Sequence, residues 1–165
     1  MTVVTWDSFR AAEHFIMRSA RLLDRHRFAH LFQSGPPAAV RSALSAYRNL
    51  DGGYGNGLEP DLRGHSSQPA AVELALRHLD ELGPLPQELG QGISRYLANV
   101  TNPDGGLPQV LPSVHYTEAA PWYQRVTDFD SRLDVTAMIT GLFHKHTITN
   151  TWRDQATAYC WKRID

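Results

Sequence analysis

A six-residue phrase occurs twice in this chain, Asn49-Leu-Asp51-Gly52-Gly53-Tyr54 and Asn102-Pro103-Asp104-Gly105-Gly106-Leu107, with a spacing of 53 residues. Each copy follows a stretch of helical apolar spacing. Val40, Leu44 and Tyr47 before the first copy match Ile93, Leu97 and Val100 before the second at the same offset, so one helix-plus-turn unit has been used twice. Consecutive glycines tolerate the positive φ needed where a helix stops and reverses, and the Asn and Asp beside them can bond backbone amides of the same turn. The repeat therefore constrains the architecture first and the chemistry second.

Along the chain the apolar pattern has helical periodicity and no strand alternation. Six helices are expected. The first is capped by Asp7 and runs to about Leu31, with Phe9, Ile16, Ala20 and Leu23 on its inner face. Gly35-Pro36-Pro37 ends it, and a second helix covers about Ala38 to Arg48. Ser66 or Ser67 caps a third, with Pro69 in its first turn, where a missing amide costs nothing. Gly83-Pro84-Leu85-Pro86 turns the chain into a fourth, bearing Leu89, Ile93, Tyr96, Leu97 and Val100. A loop from 102 to about 130 holds Pro108, Pro112 and Pro121 and cannot be a regular helix. A fifth helix carries Leu133 to about His146, and Asn150 or Thr151 starts the sixth.

The chain has 165 residues, the size of one ordinary domain, and is expected to fold as a single unit over residues 1–165. Sixteen Lys and Arg against seventeen Asp and Glu leave no basic field for nucleic acid, which is excluded as a general partner. No apolar run approaches the about 20 residues a bilayer crossing needs, and the N-terminus lacks the pattern of a signal peptide. Cys160 is the only cysteine, which rules out an internal disulfide and fits a reducing, cytoplasmic location.

Paired helices joined through Asp-Gly-Gly loops resemble the α/α-toroid superfamily of terpenoid cyclases and protein prenyltransferase β subunits. The phrase Asp51-Gly-Gly-Tyr54-Gly-Asn-Gly-Leu-Glu59-Pro-Asp61-Leu-Arg63, followed by Ser66-Ser67-Gln68-Pro69, is closest to bacterial prenyltransferase-like proteins. The resemblance spans most of residues 38 to 165. It implies an all-α fold of antiparallel helix hairpins with Gly-rich loops between them. A closed ring of this kind has about twelve helices, so six correspond to half a ring, which implies self-association or a missing second half.

The same resemblance supplies chemical patterns. Class II terpenoid cyclases protonate an alkene or epoxide with the middle Asp of an Asp-x-Asp-Asp-Thr-Ala phrase; here Arg132-Leu133-Asp134-Val135-Thr136-Ala137 keeps Asp134 at that position and lacks the other two. Arg132 would lower the pKa of Asp134, the wrong direction for an acid, and a carboxylate in the first turn of a helix is also an ordinary dipole partner. The Asp, Cys and His zinc set of prenyltransferases has no counterpart around Cys160. His26 and His30 share a helix face without the Glu of a metal motif, and His144 and His146 point to different sides. No metal site is assigned.

Two loops carry the remaining polar residues. The first offers Tyr54, Glu59, Asp61, Arg63 and His65, and the second His115, Tyr116, Glu118, Trp122 and Tyr123. If the loops meet at one mouth, carboxylates from one face aromatics of the other, a pocket suited to a cation, a sugar or an isoprenoid chain. Glu59, Asp61 and Asp134 are the candidate catalytic residues; Tyr54, Arg63, His65, His115, Tyr116, Glu118, Trp122 and Tyr123 are the candidate substrate-binding ones. The alternative is that Asp51 and Asp104 brace their own turns and Trp122 plugs its loop onto the core. The expected function is binding or processing of an isoprenoid or other small hydrophobic molecule, with magnesium only if a diphosphate is bound. A catalytically silent binding or assembly module and a carbohydrate-active toroid are the alternatives.

Overall fold

The computed structural model describes residues 4–164. Among them are eight α-helices and one 3-10 turn, with three isolated β-bridges and no strand. The helices are α1 (Trp6–Ser19), α2 (Leu22–Gln33), α3 (Pro37–Ser45), α4 (Pro69–Asp80), α5 (Gln87–Val100), α6 (Pro121–Gln124), α7 (Leu133–Lys145) and α8 (Thr151–Ile164), and the 3-10 turn is Pro112–Tyr116. The all-α expectation holds; the number of helices exceeds six because the first one is broken and the long loop contains the single turn α6. The chain divides into two compact units, Met1–Ala46 and Tyr47–Asp165.

In the first unit, Thr5 rather than Asp7 is the N-cap: its hydroxyl accepts from the Ser8 amide at 3.2 Å, and Asp7 falls in the first turn. The helix expected to continue to Leu31 stops at Ser19, with Ala20 and Arg21 both extended. No Gly or Pro marks this break. Arg25 Nε donates to the orphaned Ala20 carbonyl at 2.8 Å and Arg21 Nε to Asp24 at 2.8 Å, so side chains satisfy what a glycine turn would otherwise handle. Phe9 stacks on Phe28 and meets Phe32 edge-on, and the exposed Val4, Trp6 and Phe32 leave an open apolar cleft beside them.

The second unit is built from two helix hairpins, α4–α5 and α7–α8, with α4 packed on α7 and α5 on α8. Each hairpin starts from an Asn-x-Asp-Gly-Gly turn. Val72, Ala75, Leu76 and Leu79 of α4, Ile93 and Leu97 of α5, Ile139 and Phe143 of α7, and Trp152 and Ala156 of α8 form the buried interior. Side chains also staple one hairpin to the next. The Trp152 indole donates to Thr101 Oγ1 at 2.8 Å, Ile148 packs onto Gly90, and His146 Nε2 bonds Asp80 at 2.9 Å. The Leu85 amide donates to His146 Nδ1 at 3.2 Å, so that nitrogen carries a lone pair and Nε2 carries the proton given to Asp80. No helix among the described residues is long and apolar enough to cross a membrane.

The expected Ser66 or Ser67 cap of α4 is not made. Gln68 is the N-cap residue without a side-chain cap bond, while the Ser67 hydroxyl donates to Asp51 at 2.9 Å. The buried Gln68 side chain ties two loops together instead, donating to Ser113 Oγ at 2.8 Å and accepting from the Leu111 amide at 2.7 Å.

Candidate functional site

The repeated phrase builds the same hydrogen-bonded knot twice. Asp51 Oδ1 accepts from the Gly53 amide at 2.8 Å and Asp104 Oδ1 from the Gly106 amide at 3.1 Å, so both carboxylates close their own turns. Asn49 Nδ2 reaches forward to the His65 carbonyl at 2.8 Å and Ser67 Oγ at 2.9 Å; Asn102 Nδ2 reaches the Phe129 carbonyl at 2.9 Å and Ser131 Oγ at 3.1 Å. Ser131 then donates to Asp104, as Ser67 does to Asp51. Burial works to raise the Asp104 carboxyl, but bonds from Ser131, the Gly106 amide and Arg163 outweigh it and hold the group below its ordinary value.

The span closed by the Asn differs between the copies: 18 residues from Asn49 to Ser67, and 29 from Asn102 to Ser131. The longer second loop carries the 3-10 turn and α6, and it lies along the first. The Arg63 amide donates to the Glu118 carbonyl at 2.9 Å and the Ala120 amide to the Asp61 carbonyl at 2.8 Å, an antiparallel bridge centred on Leu62 and Ala119. Under it, Leu62, Ala70, Val110 and Val114 form a small buried cluster against which Tyr123, Val126 and Phe129 rest.

The candidate residues separate into two groups at this junction. Glu59, Asp61 and Tyr123 are half-buried on its inner side; Glu73, in the second turn of α4, and Asp134, in the first turn of α7, add to them. Burial raises the Tyr123 phenol, and the charges of Glu59, Asp61 and Glu73 raise it further. Burial also raises the Glu73 carboxyl; Arg77, 3.7 Å away, pulls it down, but Asp134 and Glu59 add to the rise and the net direction is up. Asp134 itself is exposed and sits 3.7 Å from Arg132.

Arg63, His65, His115, Tyr116, Glu118 and Trp122 are exposed. His65 Nδ1 bonds Asn56 at 3.2 Å, and the His115 ring meets Phe129 edge-on at 5.7 Å. Tyr116 is 88% exposed and Trp122 60% exposed, so Trp122 does not plug its loop; Tyr123 does. Glu118 contributes its backbone carbonyl to the junction while its side chain faces solvent. Tyr54, at 2% exposure, is part of the buried core. The Cys160 thiol is buried and pushed up by that burial, with a bond from Thr140 opposing.

Glu73 is the member of the inner group that sequence reasoning passes over. Its signal was its position, a lone acid on the apolar stripe of a helix that otherwise reads Ala70, Ala71, Val72, Ala75, Leu76. Among the described residues no group of three or more His, Cys, Asp or Glu has the arrangement to hold a metal ion. The inner group can hold a proton on a carboxyl at a pH where an ordinary glutamate has lost it, and it presents an aromatic face beside several negative charges. No protein-family model, curated protein or solved structure matches this chain.

Proposed function

We propose that the chain is a helical-repeat protein of the α/α-toroid kind that binds an isoprenoid or similar hydrophobic chain, with Glu73 as the acid of the site. Two features support the repeat reading: successive hairpins stack α4 on α7 and α5 on α8, and each begins from the same Asn-Asp-Gly-Gly-Ser knot. The observation that carries the chemistry is the raised carboxyl of Glu73 with Glu59 and Asp134 close by and Tyr123 beside them. Protonating an alkene needs a carboxylic acid that stays protonated near neutral pH, and the cation that follows is stabilised by carboxylates and an aromatic face. Glu59 and Asp61 take the second role. Magnesium enters only with a diphosphate substrate, and the lone buried Cys160 suits a reducing cytoplasm.

Thermal melting with geranylgeranyl diphosphate, with and without magnesium, tests this reading. A ligand at about 100 times its Kd adds about 2.7 kcal/mol, a rise of about 5 to 10 °C for a chain of this size. Glu73→Gln is expected to keep that rise and to lose product formation, followed by gas chromatography of the extract after phosphatase treatment, since protonating the alkene leaves the diphosphate in place. Absence of any rise at saturating ligand sinks the proposal. A second reading, a silent assembly module, is favoured by the apolar face of α7 and α8 that stays open, with Met138, Trp161 and Ile164 exposed.

A further inference from the structure

Each copy of the knot opens onto a pocket, and the two pockets correspond position by position. Asn102, Asp104, Phe129, Ser131 and Arg163 line the one at the second turn; Asn49, Asp51, His65, Ser67 and Val100, in the same order, line the one at the first. The match of α5 with α8 is fixed by contacts as well as by sequence. A Cβ on Gly52 would strike the Gly92 carbonyl and one on Gly105 would approach that of Gln155, while a Cβ on Gly53 would meet the Tyr96 ring and one on Gly106 the Tyr159 ring. Both helix pairs lie 63 residues apart, the spacing that sets Val100 in the place of Arg163.

Arg163 serves its pocket through two partners. Its Nη2 donates to Asp104 at 3.3 Å, and its guanidinium carbon lies 5.3 Å from the centre of the Tyr159 ring. At the first turn the same two partners are present and the cation is not. Asp51 keeps only donors of its own knot, the Gly53 amide and the Ser67 hydroxyl, and no cation among the described residues pairs with it. Tyr96 is 3% exposed, and its hydroxyl has no hydrogen-bond partner among the described residues. An unmet polar group at that depth costs free energy until a partner reaches it. Ser66 stands where the second pocket has Asp130, which takes no part in the Arg163 contact. The space left beside Asp51 is a cavity of about 650 Å³ with Leu50, Val100 and Leu111 as its apolar walls.

We propose that the pocket at the first turn binds a guanidinium group on an aliphatic stem, seated between Asp51 and Tyr96 as Arg163 is between Asp104 and Tyr159. Guanidinium suits the place better than ammonium, because its edge bonds a carboxylate while its plane lies on a ring, and it gives up its water more readily. The apolar walls cover the methylenes of the stem. No Lys or Arg lines the pocket to meet a free carboxylate, so the carrier is an arginine in peptide linkage or a free alkylguanidine. None of Glu59, Asp61, Glu73 and Tyr123 lines it, and the proposal stands apart from the isoprenoid reading.

The test is titration of the full nitrogen-15-labelled chain with n-butylguanidinium chloride at constant ionic strength, to about 10 mM, ample for a site of one ion pair and one apolar stem. Saturable shifts of the Gly53 and Ser67 amides are expected, with Gly106 and Ser131 unmoved, and n-butylammonium is expected to bind at least about threefold more weakly. Val100→Arg supplies a tethered guanidinium. It should abolish the shifts and raise the melting temperature, and the rise should shrink in an Asp51→Asn background, which separates the new ion pair from helix propensity and charge at the helix end. A capped Gly-Arg-Gly peptide that binds more tightly than n-butylguanidinium upholds the site and assigns it to a peptide, and one that binds more weakly upholds it for a free alkylguanidine. Absence of saturable shifts, equal shifts at both turns, equal binding of n-butanol, or undiminished binding by Val100→Arg overturns the proposal.

Discussion

Asparagine, aspartate and glycine in the repeated turn have separate duties. The aspartate ties two amides or hydroxyls within the knot, the asparagine spans forward to the start of the next helix, and the first glycine takes φ of 92° in both copies. Only at Gly52 is space lacking as well: a Cβ there would collide with the Gly92 carbonyl, whereas at Gly105 the nearest atom, the Gln155 carbonyl oxygen, is 3.4 Å away. Gly105→Ala should therefore cost the strain of a left-handed residue alone, about 1–2 kcal/mol, and Gly52→Ala about 3 kcal/mol or more. Urea unfolding of the two variants measures the difference, and equal losses would contradict it. Glu73 makes an opposite kind of prediction. Its pKa is higher in the folded than in the unfolded chain, so the folded state binds more protons and stability falls as pH rises from the ordinary glutamate range through the folded value. Glu73→Gln should flatten that slope, its melting temperature gaining on the parent's as pH rises above the ordinary glutamate value, which melting curves taken across pH measure.

At the scale of elements, hairpin contacts outside the repeat phrase fix how one helix pair meets another. A Cβ on Gly90 would lie 2.8 Å from Ile148 Cδ1, the far end of a side chain that can shift. Gly90→Ala is expected to cost about 1–2 kcal/mol, and Ile148→Val to recover part of it, giving a coupling energy of at least about 0.5 kcal/mol in a double-mutant cycle. Asp80 is held below its ordinary pKa first by the Lys145 bond and then by His146, against the opposing pull of burial. A depressed carboxylate supplies stability that is present above its unfolded value of 3.8 and lost as pH falls through the folded value. Acid unfolding below about pH 4 should accordingly be less steep in Asp80→Asn, which is also less stable at pH 7 by about 1–2 kcal/mol through the loss of charged hydrogen bonds. The positions of α3, α4 and α5 were legible because Pro and Gly punctuate them, whereas the single turn α6 lies in a loop that its prolines marked as irregular. The break after Ser19 was not, because Arg25 and Arg21 make it with side chains that carry no turn signal.

Across the Tyr47–Asp165 unit, a second loop 11 residues longer than the first is what creates the candidate site. It allows Glu118 to Ala120 to pair with Asp61 to Arg63 and lowers Tyr123 onto the cluster of Leu62, Val110 and Val114. Loop convergence could be anticipated from the repeat, but the sorting of side chains could not: Glu59, Asp61 and Tyr123 turn inward, Glu118 and Trp122 turn out, and Glu73 enters from α4. The sequence alone determined the helical class, the twofold use of one helix-and-turn unit, and the turn chemistry of Asn49, Asp51, Asn102 and Asp104, because each of these is a local property of spacing and backbone conformation. Which carboxylates gather, which one has its pKa raised, and which helix face stays open were decided by tertiary structure, because desolvation and charge coupling depend on distances between residues that lie on different loops and helices of the chain.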